Sequence, residues 1–435
     1  MTPELAMLAL LAIALPHAGL VLLCARPPGL RDAVHLICAC AAAGLALYLT
    51  NAVAQGEYAR VVLARPLPNV DLAFAIEPLG VLTALMVAGL GVLHAAHTIG
   101  VVRATQEKAP ARLMAFLALT TAGAFGVALS ANLFTLFVSY QVLTLAAFPL
   151  VEHEGGEEAG RAGRLFLAVL LTSAIGLFLP AMVWTYAIAG ELDFQPGGVL
   201  AGSVDALTAN ILLTLFVFGI AAAALPPMHR WLTGSSHAPL PALVSLQALT
   251  VLPAGGVGVL KVAAFVFGPA LAEAALARNA LIALAGAGMC VAALAALSRQ
   301  DVRERLSYSC LVQALAVIVG ALLASPVGFF AAALQIAALS CSAATLTMAV
   351  GSIAAITGRT QVGEYPGLGR LMPWTLAGFA LACASMIGLP PFAGAWAKLW
   401  LIAASAGAGL IWAAVIIGLA ATLTFAHLGP LAASA

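Results

Sequence analysis

Leu225-Pro226-Pro227-Met228-His229-Arg230-Trp231 closes one long apolar run of the chain, and Leu389-Pro390-Pro391-Phe392-Ala393-Gly394-Ala395-Trp396 closes another. Proline has no amide donor and its ring clashes with the preceding helical turn, so each Pro-Pro pair is expected to break the helix that carries it. Pro226, Pro227, Pro390 and Pro391 are therefore candidate helix breaks, at corresponding places in two halves of the sequence. Discontinuous helices so placed point to an inverted-repeat membrane architecture. Two ordinary interfacial Pro-Pro turns are the plainer alternative.

Outward from these stretches the sequence remains apolar to both ends. Of 435 residues, 63% are hydrophobic and 8% charged, against about 25% charged in a soluble chain. So few charges cannot cover a water-facing surface, and the solvent must be lipid. A spanning helix needs roughly 20 apolar residues, and runs of that length recur throughout, which leaves no room for a soluble domain. The short alternating segments of a membrane β-barrel are absent. A net charge of +1 gives no reason to expect nucleic acid. The seven cysteines form no CxxC or Cys/His spacing and read as small packing residues, with no metal site expected. Residues 5–24 resemble a signal peptide, but no small-residue cleavage site follows, and Arg26-Pro27-Pro28-Gly29 reads as a loop after a retained helix.

The apolar runs predict about 13 spans, near 4–25, 33–55, 78–102, 112–130, 132–151, 165–190, 206–231, 240–268, 280–298, 307–325, 327–357, 373–395 and 397–427, the last long enough to contain a break. Loops then alternate between two faces. One collects Arg26, Arg31, Arg103, Lys108, Arg112, Arg161, Arg164, Arg230, Arg299, Arg303, Arg305, Arg359 and Arg370; the other receives Arg60, Arg65 and Arg278. The basic face is the cytoplasmic one, which places the N-terminus outside and the C-terminus inside. Five spans separate the two Pro-Pro breaks, and an odd offset makes the copies run in opposite directions.

With its surroundings, the first break reads LPPMHRWLTGSSHAPLPALVSLQALTVLPAGG from Leu225 to Gly256. It resembles the signature of the antiporter-like subunits of respiratory complex I, membrane-bound hydrogenases and multi-subunit Na+/H+ antiporters: Pro-x-x-x-Trp-Leu, then Ala-Pro-x-Pro, then a Ser-rich helix ending in Ala-Gly. Asn132-Leu133-Phe134-Thr135-Leu136-Phe137-Val138, Leu306-Ser307-Tyr308-Ser309 and Gly388-Leu389-Pro390-Pro391 before Lys398 follow in the family's order. The likeness covers about residues 75 to 430. It implies an all-α integral membrane fold with an N-terminal three-helix region (1–111) and two inverted five-helix repeats, spans 4–8 (112–268) and 9–13 (280–427), with spans 7 and 12 broken. The family's fourteenth helix and lateral helix find no counterpart.

The resemblance also implies where charge should stand, and there the sequence departs from it. The family's glutamate on span 5 falls on Gln141, which cannot exchange a proton near neutral pH. Its lysines on spans 7 and 8 fall on Ala222 and Pro253, with Gln247 where a histidine can occur. Its span 11 positions fall on Leu339 and Ala343. Only span 12 keeps its charge, at Lys398. An alignment-free count agrees: all 17 acidic residues lie in loops or within a turn of a span end, and Lys261 and Lys398 are the basic residues within spans. An ionisable group at mid-membrane is a functional hypothesis by default. Lys261, near an outer end, reads either as snorkelling to the headgroups or as an ion-path residue. Lys398 follows a break whose unwound carbonyls would accept its protons. His229 and His237 flank the first break, at the mouth of a half-channel or in solvated loop. His17 and His35 read as buried hydrogen-bonding residues, and His94 and His97 as interfacial polar residues. Glu152, Glu154, Glu157 and Glu158 read as a solvated acidic face.

The sequence thus points to an antiporter-like membrane subunit of a multi-subunit proton- or cation-translocating complex, redox-driven in the manner of complex I or hydrogenase. Alternatives are a transport-inactive scaffolding paralogue and an energy-coupling subunit of inorganic-carbon uptake. Lys398, Gln141, His229, Lys261 and His237 are the ion-path candidates. No flavin, haem, iron–sulfur or nucleotide motif is present; a non-catalytic subunit of a translocating oxidoreductase, with no cofactor of its own, is favoured over an enzyme by itself, and redox chemistry would belong to neighbouring membrane subunits or a soluble redox arm. The location implied is a bacterial inner membrane.

Overall fold

The computed structural model describes residues 2–272 and 274–434. It is helical apart from one hairpin, in the order α1 (Pro3–Ala12), α2 (Ala14–Leu23), α3 (Pro28–Ala54), β1 (Arg60–Leu67), β2 (Val70–Ala75), α4 (Pro78–Thr105), α5 (Pro110–Ala128), α6 (Leu133–Val151), α7 (Gly156–Ser173), α8 (Leu179–Ala189), α9 (Ala206–Gly219), α10 (Arg230–Gly234), α11 (Leu240–Val244), α12 (Val251–Lys261), α13 (Ala275–Ser298), α14 (Val302–Leu322), α15 (Pro326–Thr357), α16 (Pro373–Ile387), α17 (Ala393–Gly407) and α18 (Ile411–Ser434). Single π-helical turns join α7 to α8 and α11 to α12. Among the described residues, 11 helices or joined helices are long and apolar enough to cross a membrane, and α9 and α16 are shorter apolar helices.

Several starts have a common local cause. Proline is the first residue of α1, α3, α4, α5, α15 and α16, where its fixed φ suits a helix and its missing amide would have had no partner. Asn132, Asp301 and Ser325 cap α6, α14 and α15 by accepting an amide hydrogen bond. Along each helix backbone groups bond internally, the condition for crossing lipid. The joined helix Leu240–Phe267 and α14 are buried on nearly all sides, whereas α3 and α18 present most of their surface outward. Small residues let the central helices approach closely, as membrane helix packing requires; a Cβ on Gly123 of α5 would meet the Leu143 backbone of α6 at 2.6 Å.

Three features sharpen or correct the sequence reading. The loop expected between spans 2 and 3 is an antiparallel hairpin, Arg60 opposite Ala75 and Leu67 opposite Val70. Its alternation is too weak to register as strand in sequence. Within residues 397–427, expected to be long enough to contain a break, the break falls where α17 ends at Gly407 and α18 starts at Ile411; Gly409, at φ +75°, turns the chain between them. That turn is made of small and apolar residues, so hydropathy passes through it unbroken. Lys261 does not snorkel. It is fully buried, 2.7 Å from a Glu77 carboxylate oxygen, and donates to the Ser130 carbonyl at 2.8 Å. Its ammonium also lies 5.3 Å from the Phe194 ring centre.

The hairpin explains that burial. Arg60 grips Asp193 through two hydrogen bonds of 2.7 and 2.9 Å, and Asn132 donates to the Asp71 carbonyl at 2.8 Å. The Ala75 amide donates to Leu129 and the Phe194 amide to Ala131. These ties close the end of the bundle over Lys261 and hold Glu77 beside it. On the opposite face, Asp32 is buried between Arg31 and Arg103, each at 2.7 Å. There the segment around Thr360 pairs with the start of α14, and amides of Thr360 and Gln361 hold the Glu364 carboxyl below its usual range.

Removing one partner of a buried ion pair strands the other, at about 3–5 kcal/mol. Lys261→Met is therefore expected to lower the stability of the detergent-solubilised chain by about that amount, and Glu77→Gln added to it to recover part of the loss. Thermal unfolding of the wild type, both single variants and the double variant measures this; additive effects would show that the pair does not couple.

Candidate functional site

The site is built around two interruptions of helix. At the first, α9 stops at Gly219, Ala221–Ala223 form one 3-10 turn, and Ala224 adopts φ +62° before Leu225-Pro226-Pro227. The helix cannot run into a proline, because the residue before it is pushed towards extended backbone. The freed backbone groups find neutral partners. The Ala222 amide donates to the Tyr140 hydroxyl of α6 at 3.1 Å, and the Trp231 indole donates to the Ala221 carbonyl at 2.9 Å. Gly255 of α12 lies so close that a Cβ there would collide with the Ala222 and Ala223 backbone. Tyr140 is itself buried and meets Phe178 edge-on. Neither of these side-chain partners carries a charge.

At the second interruption α16 ends at Gly388, φ +99°, and α17 begins at Ala393 beyond Pro390-Pro391. Here the freed carbonyl is met by charge. Lys398 of α17, buried, donates to the Met386 carbonyl at 2.8 Å and to the Gln313 side-chain oxygen at 3.0 Å. Gln313 of α14 also donates to Met386 at 3.2 Å and receives a hydrogen bond from Gln335 of α15 at 2.9 Å. A Cβ at position 388 would lie 2.8 Å from Lys398 Cδ, so glycine there serves both the left-handed turn and the lysine. Both Pro-Pro peptide bonds are cis.

A polar line leads from Lys398 towards the basic face. Ser309 precedes Gln313 by one turn on α14 and shares a 2.8 Å hydrogen bond with His427 of α18. Arg305, a further turn back, donates to the His427 carbonyl at 3.2 Å and to the Arg299 carbonyl at 2.8 Å. Residues four apart lie on one helix face, so Arg305, Ser309 and Gln313 form a single stripe facing Lys398 at one end and the arginine-rich loop at the other. A neutral cluster sits deeper: Gln247 donates to Ser307 at 2.7 Å, and the Ser245 hydroxyl is 3.3 Å from both Thr120 and Thr250.

The structure does not bring the five ion-path candidates together. Lys398 sits in the stripe just described, and Lys261 in the clamp under the hairpin. Gln141 is half-buried, neighbours Tyr140 in sequence, and has no protein hydrogen-bond partner for either side-chain atom. His229 lies beside the first interruption, half-buried, and His237 is exposed on the basic face, 3.6 Å from Glu304. Ala222, Pro253, Leu339 and Ala343, expected from the resemblance to stand where charge would, are all buried apolar residues. His94 and His97 each have a carbonyl partner on another helix. They reach the carbonyls of Pro241 and Met348 at 2.8 and 2.9 Å. Tyr140, Gln313, Gln335 and His427 were missed by the sequence reading. Neutral residues carry no charge signal, although the i, i+4, i+8 spacing of Arg305, Ser309 and Gln313 was available to find the stripe.

The profile of the NADH:quinone oxidoreductase/Mrp antiporter transmembrane family matches residues 130–424. The chain belongs to this family. Among relatives, it is 26% identical over 386 residues to NADH-quinone oxidoreductase subunit N of Desulforudis audaxviator, covering 86% of this chain and 76% of that protein. It is 26% identical over 286 residues to a Na(+)/H(+) antiporter subunit of Alkalihalophilus pseudofirmus, covering 65% of this chain and 57% of that one. The chain thus spans little more than half the length of that antiporter protein. In fold it is similar to a chain of the membrane-bound sulfane sulfur reductase, an archaeal respiratory membrane complex, with a TM-score of 0.86, 22% identity, and coverage of 98% of this chain and 87% of the other. This antiporter-like chain is an integral membrane protein whose polar interior is mostly neutral.

Tyr140→Phe leaves the Ala222 amide without an acceptor in a dry interior, at about 1–3 kcal/mol. The variant is expected to lose that much stability and to expose the first interruption to hydrogen exchange. Unchanged protection of the Ala221–Leu225 amides would show that Tyr140 is dispensable there.

Proposed function

We propose that the chain is the antiporter-like membrane subunit of a multi-subunit, redox-driven ion-translocating complex, and that Lys398 is the proton-exchange group of its second helix interruption. The observation that carries this reading is the contrast between the two interruptions. The first is closed by Tyr140 and Trp231, which stay neutral, while the second holds a buried ammonium on an unwound carbonyl and on Gln313, with Ser309, bonded to His427, one turn nearer the basic face on the same side of α14. Desolvated, hydrogen-bonded sites of this kind let a small change in surroundings move a proton. In this reading the chain crosses the membrane 13 times, as a three-helix region over residues 1–111 followed by two inverted five-helix repeats, residues 112–268 and 280–427. Its basic loops and C-terminus face the cytoplasm of a bacterial inner membrane and its N-terminus faces outward. Other membrane subunits flank it, and a soluble arm supplies the redox step, as the names of the quinone oxidoreductase relative and the respiratory complex suggest by analogy. The conducting role rests on the second half alone; Gln141 and His229 are not needed for it.

A second reading has its own observation. The first half has a glutamine, an alanine and a proline at three family charge positions, which favours a scaffold that no longer conducts. The two readings separate on one experiment. With the assembled complex in vesicles, Lys398→Ala is expected to reduce proton translocation at least tenfold with subunit composition unchanged. Translocation unaffected by Lys398→Ala would leave the scaffold reading. Gln141→Glu is expected to leave translocation within twofold, since the first half is not on the path; a large gain or loss would put position 141 back on it.

A further inference from the structure

We propose that His17, His35 and His94 form a second proton-exchange site, in the N-terminal helices and separate from both interruptions, that holds a water molecule and communicates with the basic face. His17 of α2 and His35 of α3 share a direct 2.8 Å hydrogen bond between Nε2 and Nδ1. His94 of α4 faces the same small cavity, whose lining also includes Cys38 and Thr121. The cavity volume is about 40 Å³, room for a water at about 30 Å³. Polar groups converge on it. His35 Nε2 is buried and has no partner among the described residues, on a residue only 4% exposed. His94 Nε2 lies 2.8 Å from the Pro241 carbonyl, which can only accept, so it carries the proton and the neutral ring keeps Nδ1 as an acceptor.

The chemistry follows from the shared bond. A proton passed from water to His35 Nε2 makes that ring cationic; its Nδ1 proton crosses to His17 Nε2, and His17 releases its own Nδ1 proton to a second water. One proton enters and one leaves, with donor and acceptor exchanged, so a proton travelling back restores the start. The site therefore exchanges protons in both directions. Its surroundings give it a near and a far side. One turn before His35 on α3 stand Asp32 and Arg31, with Arg103 of α4 on Asp32, at the basic face. On the inner side are His97, held by the Met348 carbonyl, and Pro241, which leads through Ser245 to the hydroxyls of Thr120 and Thr250. From α5 the cavity receives only neutral Thr121 as a polar group.

The inference goes beyond the Lys398 reading and does not require it. The test is histidine- and tryptophan-selective 15N NMR of the full chain in lipid nanodiscs. The expected result is a coupling between His17 and His35 across one shared proton, with ring protons of both exchanging with water at least tenfold faster than the equally buried Trp231 indole proton. His35→Gln, which keeps a hydrogen-bonding side chain but cannot pass a proton, is expected to slow exchange at His17 at least tenfold; if that variant does not fold, His17→Gln reads the same effect at His35. Ring protons as slow as that of Trp231, or exchange at His17 unchanged by His35→Gln, would overturn the proposal and leave a purely structural bond. A complex that moves no protons would sink the Lys398 reading while leaving this measurement to stand on its own.

Discussion

A peptide group cannot be left unpaired in hydrocarbon, where water is unavailable to bond it. Much of what is unusual in this chain's interior can be traced to that constraint acting at the two places where the helix stops. Pro226-Pro227 and Pro390-Pro391 remove donors and free carbonyls; Tyr140 and Trp231 serve the first set, Lys398 and Gln313 the second. The same geometric demand is thus met once by aromatic hydroxyl and indole and once by an ammonium. What differs between the halves is the capacity to change charge.

That difference has a packing counterpart. With Ala222 at the first interruption, Gly255 can press its backbone against the turn, closer than any side chain would permit. At the second, Gly388 leaves room for the lysine stem instead of a neighbouring helix. Glycine serves close helix contact at the first interruption and a polar side chain at the second, so the two interruptions differ in what fills the space beside them.

Sequence revealed much of the fold because its signals are large: apolar runs set by bilayer thickness, proline pairs that no helix tolerates in its interior, and basic loops that alternate with the spans. The boundaries it left unplaced are those drawn by small apolar residues, as at Gly407 to Ile411, where hydropathy does not change. The site was less legible. Lys398 stood out because charge in lipid is rare, but its partners Gln313 and Gln335 are ordinary in composition and acquire meaning only by meeting across α14 and α15. Lys261 was equally visible and read wrongly in part, because nothing local to it announces that Glu77, far away in sequence, arrives at the same point under a hairpin. Long-range pairing of that kind leaves no periodic trace.

The hairpin carries a mechanical implication. By gripping Asp193 through Arg60, receiving Asn132 at Asp71, and delivering Glu77 to Lys261, it rivets together the ends of α4, α6 and α12 at one membrane surface. A bundle pinned at one surface can bend only like a fan, opening where the ribs are loose. Relative displacement of these three helices would then be smaller at the riveted surface than at their opposite ends.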